Sequence, residues 1–231
     1  MENISLPERI VIESVEGSPF DARVVISPCY PGYGVTIANA LRRVLLSSLP
    51  GAAITAMKAR GVDHEFSAIK GVAEDVVDIV LNLKTVRLKM HEEGPVELKL
   101  NVTGIKTVTA GDIQAPSSVE IMNKDIVLFT TTDKDAKVEM ILTCEQGRGY
   151  VPVEAREEED RTEIGRIAVD AIFTPIREVG YHVESVRVGQ RTDFDKVIMD
   201  IQTDGTVTPE EAIRQSAQIL MDHFQLCLPQ G

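Results

Sequence analysis

Tryptophan is absent from the 231 residues, and the aromatic side chains are six Phe and four Tyr. The core must therefore be built from Val, Ile, Leu, Ala and Met. Only three cysteines occur, Cys29, Cys144 and Cys227, far apart and without a CxxC pair. That spacing excludes a disulfide framework or a zinc ribbon and fits reduced thiols in a cytoplasm. The four histidines (His64, His91, His182, His223) show no HxxxH or HxH spacing, so no metal site is expected. No apolar run approaches the ~20 residues of a membrane helix. The first ten residues carry Glu2 and Glu8 and no basic n-region, so no secretory signal is expected.

Acidic residues are missing from one long stretch. Between Ala22 and Val62 the only charges are Arg23, Arg42, Arg43, Lys58 and Arg60. The chain as a whole has a net charge of -12, which argues against a dedicated nucleic-acid binder. A basic strip on an acidic chain suits an acidic protein partner; solvated arginines in a run that happens to lack acids would look the same. The opposite extreme is Glu154–Glu163, where Glu157, Glu158, Glu159 and Asp160 crowd together. It reads as a solvated loop or as a docking spot for a basic protein.

What is present is ordinary for a globular chain: 43% hydrophobic, 26% charged, and long enough for one or two domains. Ile10–Val15 and Ala22–Ser27 read as strands around a Gly17-Ser18-Pro19 turn. Pro28, Pro31, Gly32 and Gly34 break that pattern. A helix over about Val35–Ser48 places Ile37, Ala38, Leu41, Leu45 and Ser48 on one face. Strands are expected at Ala53–Arg60, Thr85–Met90, Val96–Val102, Ile126–Thr132 and Val138–Thr143, with a helix over about Ala73–Leu83. Val96–Val102 alternates perfectly, as a half-buried strand should. Tyr181–Val188 and Lys196–Thr203 read as a hairpin over a Gly189–Asp195 loop. Thr208 then caps a last helix to about Leu226, with Pro209 at its first position and Glu211 placed to close a capping box. Ile213, Ser216, Ala217, Leu220, Phe224 and Cys227 run down one side of it. The first and last helices are both too apolar for one face each, which leaves surface for a symmetric dimer or for an ordinary shared core.

Little in the sequence points to chemistry. Gly32-Tyr33-Gly34 opens a helix after a strand, but the third glycine of a dinucleotide fingerprint is Ile37, and no acid follows until Asp63. The Asp193-x-Asp195 pair could hold magnesium, or hydrogen-bond its own turn. No GxSxG or Walker pattern exists. No catalytic, metal-binding or cofactor-binding residue is expected.

One segment carries a resemblance. PGYGVTIANALRRVLLSSLPGAAIT, Pro31–Thr55, resembles the signature of the amino-terminal domain of the bacterial-type RNA polymerase alpha-subunit family. Five further stretches agree in order and spacing: Gly61–Lys84, Thr109–Ile113, Gly147–Pro152, Ile164–Ile176 and Gln190–Gly205. The resemblance covers essentially the whole chain. It implies an α+β fold in which a two-part dimerising domain (1–51 and 176–231) carries two long helices packed on an antiparallel sheet. An inserted β-rich domain (52–175) would contact the large subunits.

The function implied is that of a non-catalytic, cytoplasmic assembly scaffold. A homodimer would hold the beta and beta-prime subunits of a nucleotidyltransferase complex, nucleoid-associated as part of RNA polymerase. Residue by residue, Arg43, Leu46, His64 and Glu74 match beta-facing positions, and Lys84 matches one near beta-prime. Tyr33, Ile37 and Val44 match dimer positions; Ala38, Leu41, Leu45, Ile213, Ala217, Leu220 and Phe224 extend that interface along the two helices. Glu157, Glu158, Glu159 and Asp160 lie where some relatives meet a transcription activator. The family usually continues into a small DNA-binding domain, so without one no direct nucleic-acid binding is expected, nor any membrane contact. The rival readings are a small-molecule enzyme built on Gly32–Gly34 and Asp193/Asp195, and an unrelated dimeric binding module.

Overall fold

The computed structural model describes residues 4–228 apart from 8, 16 and 157–164. The acidic positions Glu157–Asp160 therefore lie outside the described residues. The fold is α+β, and the chain divides into two compact units. One is discontinuous, formed by the chain up to Leu49 and again from Thr174; the other is Pro50–Phe173.

The discontinuous unit is a four-stranded antiparallel sheet in the order β1 (Arg9–Ser14), β2 (Asp21–Cys29), β14 (Arg191–Thr203), β13 (Ile176–Val188). Helices α1 (Tyr33–Ser47) and α3 (Pro209–Gln225) pack on it and on each other. Strand alternation supplies the reason. Val24, Ile26, Val197, Met199 and Ile201 point to one face and are buried with Ala38, Leu41, Leu45, Ala212 and Ile213 from the helices. The opposite face carries charge, including the Arg23–Asp200 pair at 2.8 Å.

Two expectations fail here. β2 continues through Pro28 to Cys29 rather than stopping at Ser27. The β13–β14 connection is only Gly189 and Gln190, so Asp193 and Asp195 sit in a strand and not in a loop. The run Arg191–Lys196 is extended because it pairs with β13 along its length, and β2 joins on the other side at Asp195, which lies opposite both Cys29 and Ser185.

Helix α3 starts as its sequence demands: Thr208 Oγ1 accepts from the Glu211 amide at 3.2 Å, and Pro209 takes the first turn. The Glu211 carboxylate does not reach back to complete a capping box. It takes hydrogen bonds from Arg214 (2.6 and 2.8 Å) and Gln215 (2.7 Å) instead. Those bonds, Arg214 first, hold its pKa down to about 2 from 4.5. Its contribution to stability is thus complete above the ordinary value and is lost as pH falls toward about 2. The melting-temperature gap between wild type and Glu211→Gln should shrink to nothing over that window; a pH-independent gap would refute the coupling.

The continuous unit holds a six-stranded antiparallel sheet. Its main path runs β5 (Val96–Thr103), β9 (Lys137–Arg148), β3 (Pro50–Ala59), β4 (Leu88–Met90), β7 (Val119–Ile121), and β11 (Arg166–Ala168) also pairs with β3. Two small sheets, β6 (Lys106–Thr109) with β8 (Val127–Thr131) and β10 (Tyr150–Val151) with β12 (Ala171–Ile172), complete it. Helix α2 (Val76–Leu83) buries Val76, Ile79 and Leu83 in a core with Met57, Leu98, Leu100, Leu128, Phe129 and Leu142. It begins at Val76 rather than Ala73, because Asp75 Oδ1 accepts from the Asp78 amide at 2.8 Å and caps it there. Thr85 and Val86 turn back on the helix end, so β4 starts only at Leu88.

Candidate functional site: two unpartnered surfaces

Surface, not a cavity, is what distinguishes the discontinuous unit. Ala38, Leu41, Leu45 and Ile213 were expected to face a second copy, yet they are 0, 6, 0 and 8% exposed inside this unit's own core. The spacing could not separate the two roles, since one helix face serves both. Ile37, Leu46, Ala217 and Leu220 are half-buried, their inner sides on that core. Val44 is half-buried and Tyr33 is 42% exposed.

The apolar excess lies further along α3 than the stripe suggested. Every residue from Met221 to Leu228 is exposed. Among them Met221, Phe224, Leu226 and Leu228 are large and apolar, between 55 and 80% exposed. From sequence only Phe224 of these four is expected in the dimer interface, with Leu226 and Leu228 as apolar surface beyond the stripe; Met221 is the one the pattern misses.

The two adjacent arginines of α1 have different jobs. Arg42 Nε donates to the Val179 carbonyl of β13 at 3.1 Å, pinning the helix to the sheet. Arg43 is exposed, and among the described residues its guanidinium makes no hydrogen bond or ion pair. Leu46 lies one turn on, half-buried.

In the continuous unit a groove of about 690 Å³ is lined by His64, Phe66, Val77, Val80, Leu81, Lys84 and Asp170, among others. Phe66 is 80% exposed there and Leu81 52%. His64 is exposed, its Nδ1 3.2 Å from Ser67 Oγ. The groove thus brings His64 and Lys84 together, but not Glu74.

Lys84 is not a free cation. Its Nζ is 2.7 Å from Asp170 Oδ2, and Asp170 Oδ1 accepts from the Val153 amide at 2.9 Å. The Lys84 hydrogen bond leads in holding the Asp170 carboxyl below its usual range. Glu74 is similarly occupied: its Oε2 accepts from the Thr130 amide at 2.7 Å, tying the approach to α2 onto β8.

Nothing in the glycine turn resembles a phosphate cradle awaiting a ligand. The amides of Gly32 and Gly34 both donate to Asp195 Oδ2, each at 2.9 Å. Asp193 pairs with Arg191 at 2.8 Å. The Asp-x-Asp pair is therefore split between two unrelated tasks, Asp193 on Arg191 and Asp195 on the two glycine amides. Cys144 is buried, and burial pushes its thiol up to about 11, away from thiolate chemistry. Among the described residues no three His, Cys, Asp or Glu side chains gather in a metal-binding group, and no helix is long and apolar enough to cross a membrane.

Residues 52–174 match the family model described as the RNA polymerase Rpb3/RpoA insert domain. A DNA-directed RNA polymerase subunit alpha from Roseiflexus castenholzii is 49% identical over 225 residues, 97% of this chain and 68% of that protein. The chain belongs to the RNA polymerase alpha-subunit family. A second alpha subunit, from Roseiflexus sp., is 48% identical with the same coverage. One from Herpetosiphon aurantiacus is 48% identical over 98% of this chain and 66% of its own length. The family match at 52–174 falls on the continuous, β-rich unit, so the alpha-subunit insert is the part that carries the His64–Lys84 groove. The α1–α3 surface belongs to the discontinuous unit, which the full-length relatives also match.

Proposed function

We propose that this chain is a non-catalytic alpha subunit that homodimerises and then scaffolds the beta and beta-prime subunits of RNA polymerase. The observation that carries the reading is the exposed end of α3, where eight successive residues leave this unit's own core with four large apolar side chains among them. Burying one such side chain contributes about 1.5–3 kcal/mol, so four on each of two copies supply ample driving force for association. A twofold arrangement is the common solution, because one patch then covers itself.

Arg43 is the residue proposed to capture beta, with Leu46 beside it. A guanidinium with no partner among the described residues has its fork of donors to offer a carboxylate or carbonyl on another chain. The insert's groove, with Phe66 and Leu81 exposed beside His64, offers the apolar anchor for a large subunit. Lys84 would serve beta-prime as half of an ion pair with Asp170 rather than as a lone charge, and Glu74 by holding the loop before α2. The Glu157–Asp160 stretch remains a proposed activator contact on its charge alone. No residue is assigned to nucleotidyl transfer, and the domain roles follow the same division: dimerisation by the discontinuous unit, large-subunit contact by the insert.

The test is co-expression with beta and capture through this chain, wild type against Arg43→Ala, with dimer mass measured by light scattering. Arg43→Ala should remain dimeric and lose beta at least roughly 30-fold, as truncating an arginine anchor does. Retention of beta at wild-type level would make Arg43 a bystander. Capture of no beta by the wild type would overturn the assembly role.

A further inference from the structure

We propose that Asp195 is a positioning residue that caps helix α1 from the neighbouring strand and so fixes the angle at which α1 presents its docking surface. Helix α1 needs such help. Its N-cap is Gly32, with φ 84° and no side chain to accept from the helix, and its first turn holds no acid. The first amides of a helix have no partner within it, and its N-terminus carries partial positive charge. Here the Tyr33 amide donates to the Tyr30 carbonyl at 2.9 Å, while Gly32 and Gly34 both donate to one Asp195 oxygen. The missing cap is thus supplied by a residue more than 160 positions away in the chain.

The geometry around this carboxylate is tight. A Cβ on Gly34 would fall 2.7 Å from Asp195 Cβ, 2.9 Å from Asp195 Oδ2 and 3.0 Å from Val183 Cγ1. Glycine is the residue that lets helix and strand approach this closely. The register of β14 against β2 slips between Asp195 and Val197, a bulge that re-aims the side chains on that strand. Gly32-x-Gly34 and Asp195 are therefore two halves of one device: a pair of glycine amides and the internal anion that fills them. The glycine motif that resembles a phosphate-binding turn is an anion site occupied by the protein itself.

Its consequence for association rests on the dimer reading given above. Tyr33, Ile37, Arg43 and Val44 all ride on α1. Arg42 pins the helix to β13 near its middle, and Asp195 pins it at its start. With the cap gone, the helix start is free to fray and Tyr33 loses its fixed place.

Two readouts test this, with Asp195→Ala, Asp195→Asn and a control, Ile201→Val, in the same sheet but away from the cap. Hydrogen exchange at the Gly32 and Gly34 amides should accelerate about tenfold or more in Asp195→Ala. Asp195→Asn keeps an acceptor and should restore most of the protection. The dimer dissociation constant should weaken about tenfold in Asp195→Ala and recover in parallel in Asp195→Asn. Ile201→Val should lower the melting temperature while leaving both readouts in place. Unchanged exchange in both Asp195 variants would overturn the cap. Faster exchange with an unchanged dimer constant, or an equal loss of dimer in Ile201→Val, would overturn its role in docking. A wild-type chain that stays monomeric at every concentration would refute the dimer reading instead, and exchange alone would then decide the cap.

Discussion

Phe224→Glu should give a folded monomer. Phe224 is 63% exposed in the single chain, so the substitution removes little of the unit's own packing. Within a dimer it would sit among Met221, Leu226 and Leu228 of the same helix end and the equivalent residues of a second copy. The variant forfeits about 1.5–3 kcal/mol of apolar burial. It also asks an unpaired carboxylate to leave water, at a further few kcal/mol. A combined loss of roughly 4 kcal/mol or more corresponds to about a thousandfold in the dissociation constant. Sedimentation equilibrium would show the mass halved at micromolar concentration, while circular dichroism and the monomer melt stay close to wild type. An unchanged dimer constant would remove the end of α3 from the interface and leave α1 to explain association.

The second large effect belongs to the insert and concerns stability. Phe129 is completely buried in the core that α2 closes, on β8 opposite Val108. Phe129→Ala leaves a cavity lined by aliphatic side chains and should cost about 3–5 kcal/mol. Against a total of roughly 5–15 kcal/mol for a domain, that is a large share. The insert should melt roughly 10 °C lower. Hydrogen exchange should localise the damage: Val108 and Leu128 lose protection, whereas Val24 and Met199, in the other unit's core, keep theirs. Equal loss in both units would mean that the two cores unfold as one.

Much of the fold could be read from pattern. Val96–Thr103 alternates in sequence and in burial, and it is a strand one residue longer than the pattern alone suggests. Thr208 and Pro209 announced α3 correctly. What was hidden depended on partners distant in sequence. Nothing in Arg191–Lys196 shows that β13 holds it extended and that β2 joins at Asp195, so its aspartates look like loop residues. Val138–Thr143 is extended to Arg148 by pairing with β3, Gly147 opposite Gly51, and Gly147 must be glycine there because the Phe173 ring packs where a Cβ would stand, 2.6 Å away. The candidate surface was legible in kind and less so in detail. Two excessively apolar helices pointed to unpartnered surface, but periodicity alone could not divide Leu41 and Leu45, which the core consumes, from Met221 and Leu228, which it leaves out. Lys84 and Glu74 are expected from the resemblance to face the large subunits, and their sequence gives no sign that each is engaged with a neighbour in its own unit.

Strand β2 lies in the sheet beside β14, and the whole insert is synthesised between them. On the ribosome that order becomes a delay. At about 5–20 residues per second, β2 waits roughly 10–30 s for the strand that completes its sheet. The insert's strands all come from one continuous stretch, so it can fold during that interval. Helix α1 meanwhile has neither β13 to pack on nor Asp195 to cap it. A nascent chain is therefore unable to present its α1–α3 surface until β13, β14 and α3 have all been made.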